Sequence, residues 1–119
     1  MAYVDGFLIP VPKKNLDAYR EMAEKASKIW KEYGALDYRE CVGDDVNPEF
    51  GLPFPKAAGC GPDDVVIFSY IVYESKAQRD EVNAKIMKDE RIANMMKGEE
   101  MPFDCAKMCY GGFETIVEA

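Results

Sequence analysis

The sequence predicts an α+β fold in which two helices lie on one face of a four-stranded antiparallel sheet, and three observations predict it. Apolar residues recur at three- and four-residue spacing over residues 13–33, the helical period. Residues 65–73 form an almost unbroken apolar run rich in β-branched and aromatic types, which marks a central strand covered on both faces. The elements then follow one another as strand, helix, strand, strand, helix, strand, the split βαββαβ order of a ferredoxin-like sandwich.

Each element has its own warrant. Residues 3–11, YVDGFLIPV, read as a first strand ended by Pro10 and Pro12. The first helix places Leu16, Tyr19, Ala23, Ala26, Trp30 and Tyr33 on one stripe, gains i,i+4 pairs from Glu21 with Lys25 and Glu24 with Lys28, and stops at Gly34. Residues 35–41 alternate, with Leu36, Tyr38 and Glu40 on one face and Asp37, Arg39 and Cys41 on the other. Residues 43–62 carry Pro48, Pro53, Pro55 and Pro62 among Gly43, Gly51, Gly59 and Gly61, so they form one long loop, and Phe50, Leu52 and Phe54 predict that it packs. Ser75 and Gln78 make a capping box that starts a helix running to about Lys88. Asp89 caps a further short helical stretch through Met96, and a turn follows at 98–102. Residues 107–117 read as the last strand, where the pair Gly111 and Gly112 predicts a bulge or the close approach of another backbone.

Length and composition bound the function. With 119 residues, 48% hydrophobic and 31% charged, residues 1–119 are expected to be a single ferredoxin-like domain. Fifteen basic against 22 acidic residues give a net charge of -7, which disfavours nucleic acid and anionic membrane surfaces as partners. The basic, glycine and aromatic string of RNA-recognition modules is also missing. Histidine is absent, which excludes histidine-based catalysis, metal ligation and haem ligation. The Gly-rich stretch has neither phosphate-binding spacing, and Cys105 and Cys109 lack the spacing of a zinc pair, so no cofactor or metal is expected. The N-terminal residues do not resemble a signal peptide and no run is long enough to span a bilayer, so the expected location is the cytoplasm. There Cys41, Cys60, Cys105 and Cys109 are expected as reduced thiols serving as small buried or half-buried side chains.

Candidate chemistry is sought among polar residues embedded in apolar strands: Asp5, Tyr38, Glu40, Ser69, Tyr70 and Tyr110. Asp5 shares a strand face with Tyr3, and Glu40 shares one with Tyr38, so each carboxylate has a phenol two residues away. A desolvated carboxylate beside a phenol is a general base, which makes Asp5, Tyr38, Glu40 and Tyr70 the catalytic candidates. The alternative leaves the carboxylates solvated or paired with Arg39 or Arg20. Trp30, Met95, Met96, Met101 and Met108 read as ordinary core. Both faces of the 65–73 strand are apolar while both helices cover only one, and face-to-face homodimerisation supplies the missing cover.

The segments YVDGF at 3–7, VPKKNLDAYR at 11–20, YREC at 38–41, VNAK at 82–85, MPFD at 101–104 and YGGFE at 110–114 together resemble the YbaA-like family of bacterial proteins, a domain of unknown function. The resemblance covers essentially the whole chain. It implies a dimeric α/β barrel, two ferredoxin-like units with their sheets packed together, in a superfamily that includes small cofactor-independent monooxygenases and isomerases. The function expected is a homodimeric barrel binding a small apolar or aromatic molecule, with a monooxygenase- or isomerase-type reaction as its catalytic form. The alternative is a non-catalytic structural or interaction protein with a packed dimer interface.

Overall fold

The computed structural model describes residues 1–97 and 101–119, so most of the turn expected at 98–102 lies outside the described residues. In chain order the elements are β1 (Tyr3–Pro12), α1 (Leu16–Glu32), β2 (Asp37–Val42), a one-turn α2 (Phe54–Ala57), β3 (Asp64–Tyr73), α3 (Lys76–Met87), α4 (Glu90–Met96) and β4 (Cys109–Glu114). The strands form one sheet in the order β2-β3-β1-β4, and every neighbouring pair is antiparallel. The fold is therefore ferredoxin-like, with its two ten-residue strands in the middle.

Local signals act where they were expected. Gly34 closes α1 at φ +116°, a conformation open to glycine. Ser75 caps α3 by accepting from Gln78 N at 3.1 Å, and Asp89 caps α4 by accepting from Arg91 N at 2.8 Å. Gln78 also donates to the Gly34 carbonyl at 2.8 Å, which ties the end of α1 to the start of α3.

Several expectations need correction. Pro10 and Pro12 do not end β1, which runs through both. Val66 gives its carbonyl to Gly43 on the β2 side, so Pro10 opposite it turns its donorless nitrogen toward β4; β4 reaches only to Leu8, and nothing there asks for a donor. The first helical turn over Lys13–Asn15 is 3-10 rather than α. β4 spans Cys109–Glu114 instead of 107–117, and its register passes through Gly111 and Gly112 without a bulge. What approaches Gly112 is a pair of side chains: a Cβ there would lie 2.3 Å from both Tyr3 Oη and Arg79 Nη2. The 43–62 loop contains the short α2, and Phe50 and Leu52 stay 87% and 64% exposed on the single chain. Cys41, Cys105 and Cys109 are exposed, and only Cys60 is half-buried.

The register sorts the sheet into two faces. Odd-numbered residues of β1 and β3 face the helices together with Tyr38, Glu40 and Val42 of β2, the parity expected from the alternation of that strand. This face carries the core in two clusters, one around Ile71, Tyr73, Val82 and Ile86, the other around Ile9, Val11, Tyr19 and Ile67. β3 is central but, among the described residues, is not covered on both sides. Its other face presents Phe68, 45% exposed, beside Tyr70. Among the described residues no helix is long and apolar enough to cross a membrane.

Candidate functional site

Between the two core clusters, under α1 and α4, lies a cavity of about 200 Å³. Its wall is apolar and sulfur-rich: Trp30 and Met22 from α1, Met95 and Met96 from α4, Phe103 and Met108 from the chain entering β4. Trp30, Met95, Met96 and Met108, expected as plain core, thus line the cavity, and Met101 is not part of its wall. An unbranched thioether suits such a wall because it adapts to what it touches.

Among the described residues the one charged side chain in the wall is Glu40, beside the polar Tyr19, Tyr38 and Ser69, and the sheet places it there. As a β2 residue opposite Ser69 it points at the helices, where α1 passes with Tyr19 inward. Tyr19 donates its hydroxyl to Glu40 Oε1 at 2.7 Å, and Tyr38 donates to Oε2 at 2.8 Å. Burial raises the Glu40 carboxyl above the ordinary glutamate range, while hydrogen bonds from Tyr19, Tyr38 and Ser69 pull the other way. Burial, reinforced by the Glu40 charge, pushes both phenols far up, so they remain donors. On its other side the same triad borders a more open groove of about 400 Å³ between α1 and β2, rimmed by Arg20, Glu24 and Ser27. The carboxylate thus lies between an apolar chamber and the groove, bordering both.

The four sequence-derived candidates separate into three places. Tyr38 and Glu40 meet directly. Asp5 shares their face of the sheet but sits away from the cavity, with Arg79 Nε of α3 3.2 Å from its Oδ1 and with Asn83 and Tyr73 turned toward it. Burial raises the Asp5 carboxyl and the Arg79 charge opposes this. The partner of Asp5 is therefore neither Arg20 nor Arg39; Arg20 lies 3.9 Å from Asp17 and Arg39 pairs with Asp37. Arg79 is itself held by Tyr3, whose hydroxyl accepts from Nη2 at 3.1 Å and whose ring lies 4.9 Å below the guanidinium. Tyr70 pairs with Gly6 and Arg39 on the opposite, open face. Sequence reasoning missed Tyr19 as a site residue: its place on the inner stripe of α1 was legible, but not the carboxylate opposite it.

A further carboxylate, the buried Asp89, accepts from Tyr33 at 2.5 Å and from Arg91 Nη2 at 2.8 Å, and these bonds hold it well below the usual range. It joins α1 to α4, the helix that roofs the cavity. Among the described residues, no group of three acidic, cysteine or histidine side chains is placed to hold a metal ion.

Residues 2–105 match the model of a family described as protein of unknown function (DUF1428). The chain is 47% identical over 118 residues, 99% of each sequence, to the uncharacterised protein YbaA of Escherichia coli strain K12, and to the same degree to YbaA of Shigella flexneri. Among solved structures it resembles a dimeric ferredoxin-like protein from an uncultured marine organism, with a TM-score of 0.63 at 9% identity over 99% of this chain and 98% of that one. It also resembles Rv0793 from Mycobacterium tuberculosis, with a TM-score of 0.60 at 12% identity over 100% and 99% of the two chains. At such identities the likeness is one of fold.

Proposed function

The chain belongs to the DUF1428 family of proteins of unknown function, that of YbaA, and for it we propose a homodimer that binds a small apolar or aromatic molecule between helices and sheet. The observation that carries this is Glu40, a carboxylate held by two phenols in the wall of an otherwise apolar cavity of about 200 Å³. A cavity of about 150 Å³ already admits benzene, so one aromatic ring with a short arm fits. In this proposal Glu40 exchanges a proton with the bound molecule, and Tyr19 and Tyr38 hold the carboxylate in place. That is the catalytic form of the reading, the proton abstraction a cofactor-independent isomerase or monooxygenase requires. Asp5 supports the fold through Arg79, and Tyr70 belongs to the dimer face.

The same proposal takes residues 1–119 as one domain in the cytoplasm and pairs two of them as a dimeric α/β barrel, sheet against sheet. Phe68, Tyr70 and Phe113 on the open face support the pairing, as does the dimeric state of the ferredoxin-like neighbour. A non-catalytic protein with a packed interface is the second reading, favoured by the same open face; it leaves the cavity without a ligand.

Native mass spectrometry of the protein purified from its own host separates them. A dimer carrying one small adduct per subunit, lost when Ala26→Phe fills the cavity wall, is the expected result. A bare dimer, together with no thermal shift across a panel of small aromatics, refutes the binding reading.

A further inference from the structure

Three carboxylates are partly or wholly withdrawn from water inside this fold, and their partners differ. Asp5 has Arg79, and Asp89 has Arg91. Glu40 has only the neutral donors Tyr19, Tyr38 and Ser69; among the described residues no lysine or arginine touches it or lines the inner cavity. Arg20 lies across the outer groove and is largely exposed. A half-buried carboxylate whose nearest partners are all neutral lacks a matching charge, and the apolar chamber beside it leaves room for one.

The walls say what kind of counter-ion fits. Trp30, Tyr19, Tyr38 and Phe103 bring aromatic rings to the chamber, and Met95 and Met96 bring polarizable sulfur. Ring faces attract cations, best of all where water is excluded. The chain's net charge of -7 favours the approach of cations over that of anions. We propose that the ligand is a small apolar amine, bound as its ammonium with the charged nitrogen at Glu40 and the hydrocarbon part among the rings and thioethers. This inference rests on the cavity as a binding site and specifies which chemical class it selects.

Three isosteres test it: phenethylamine, 2-phenylethanol and phenylacetate share a ring and differ in charge. Binding to the intact protein is followed by calorimetry and by the fluorescence of Trp30, the only tryptophan in the chain and part of the wall. The expected order is amine, alcohol, acid, with the amine about tenfold or more tighter than the alcohol. Glu40→Gln brings amine and alcohol to equal affinity. A second measurement stands on the wild-type protein alone: the preference for the amine shrinks as acid protonates Glu40. The groups facing Glu40 are Tyr19 from α1, Tyr38 on its own strand and Ser69 from β3, with Arg20 and Glu24 across the groove, and none of the three in contact is a cation. Equal affinities in the wild type, tighter binding of the acid, or an amine preference that survives both Glu40→Gln and acid overturns the inference and leaves the cavity reading standing. If none of the three binds, the cavity reading fails and the inference falls with it.

Discussion

Replacing Tyr19 by phenylalanine deletes one hydroxyl and with it the 2.7 Å hydrogen bond to Glu40 Oε1. Tyr19 is almost fully enclosed, so the lost donor is not simply replaced by bulk water. A hydrogen bond to an ionised group contributes about 1.5–3 kcal/mol, and one between neutral groups about 0.5–1.5 kcal/mol. Tyr19→Phe is therefore expected to destabilise the fold by about 2 kcal/mol where Glu40 is ionised and by about 1 kcal/mol where it is protonated. The wild-type baseline moves in a defined direction. Burial raises Glu40 above its unfolded value, so the folded state holds this proton more tightly. The resulting stabilisation is complete below the ordinary glutamate value of about 4.3 and is lost as pH rises through the raised folded value. Glu40→Gln removes that dependence, so wild type loses stability relative to Glu40→Gln across this window. Urea denaturation at one fixed protein concentration, at about pH 4 and about pH 8, reads both effects. An equal Tyr19→Phe penalty at both values, or a difference between wild type and Glu40→Gln that does not change with pH, refutes the assignment of Glu40 as a desolvated carboxylate held by phenols.

Two further outcomes follow from the geometry. Phe68→Lys puts a charge in the middle of the open face, beside Tyr70 and Phe54, and is expected to yield monomers at micromolar concentration with unchanged far-UV circular dichroism; dimers persisting in sedimentation velocity would place the contact elsewhere. Gly112→Ala forces Tyr3 and Arg79 off their present positions and is expected to lose about 1–3 kcal/mol, whereas Gly111→Ala, whose Cβ finds its nearest neighbour at 4.0 Å, is expected to be neutral or stabilising; equal effects of the two in chemical denaturation would contradict the close approach at Gly112.

The parts of this fold legible in sequence are those decided within a few residues. The stripe of α1, the caps at Ser75 and Asp89, the stop at Gly34 and the alternation of β2 each rest on spacing that one turn or one strand enforces. What escaped depends on residues far apart. Pro10 reads as a strand terminator until the sheet order shows that β4 ends before reaching it. Phe50 and Leu52 predict packing by their chemistry, yet both stay exposed on the single chain. Trp30 and the methionines look the same in sequence whether they fill a core or border a void, because a cavity is a property of how several elements fail to close.

The site itself shows the division most clearly. Tyr38 and Glu40 were legible together because a period of two puts them on one face of β2. Their separation from Tyr70 and Asp5 was not, because it depends on how β3 and α3 are placed across the sheet. β3 pairs Ser69, not Tyr70, with Glu40, which sends Tyr70 to the open face of the sheet. α3 lays Arg79 over Asp5, 74 positions away in sequence, and so neutralises one of two carboxylates that looked equivalent. β2 runs at the edge of the sheet beneath α1, and the residues α1 brings down there are Tyr19 and Ala23, not a base. The sheet order thus decides which carboxylate keeps an unmet charge. Asp5 is matched by Arg79 while Glu40 has neutral donors alone, and it is on this difference that the proposal of the cavity beside Glu40 as a binding site rests.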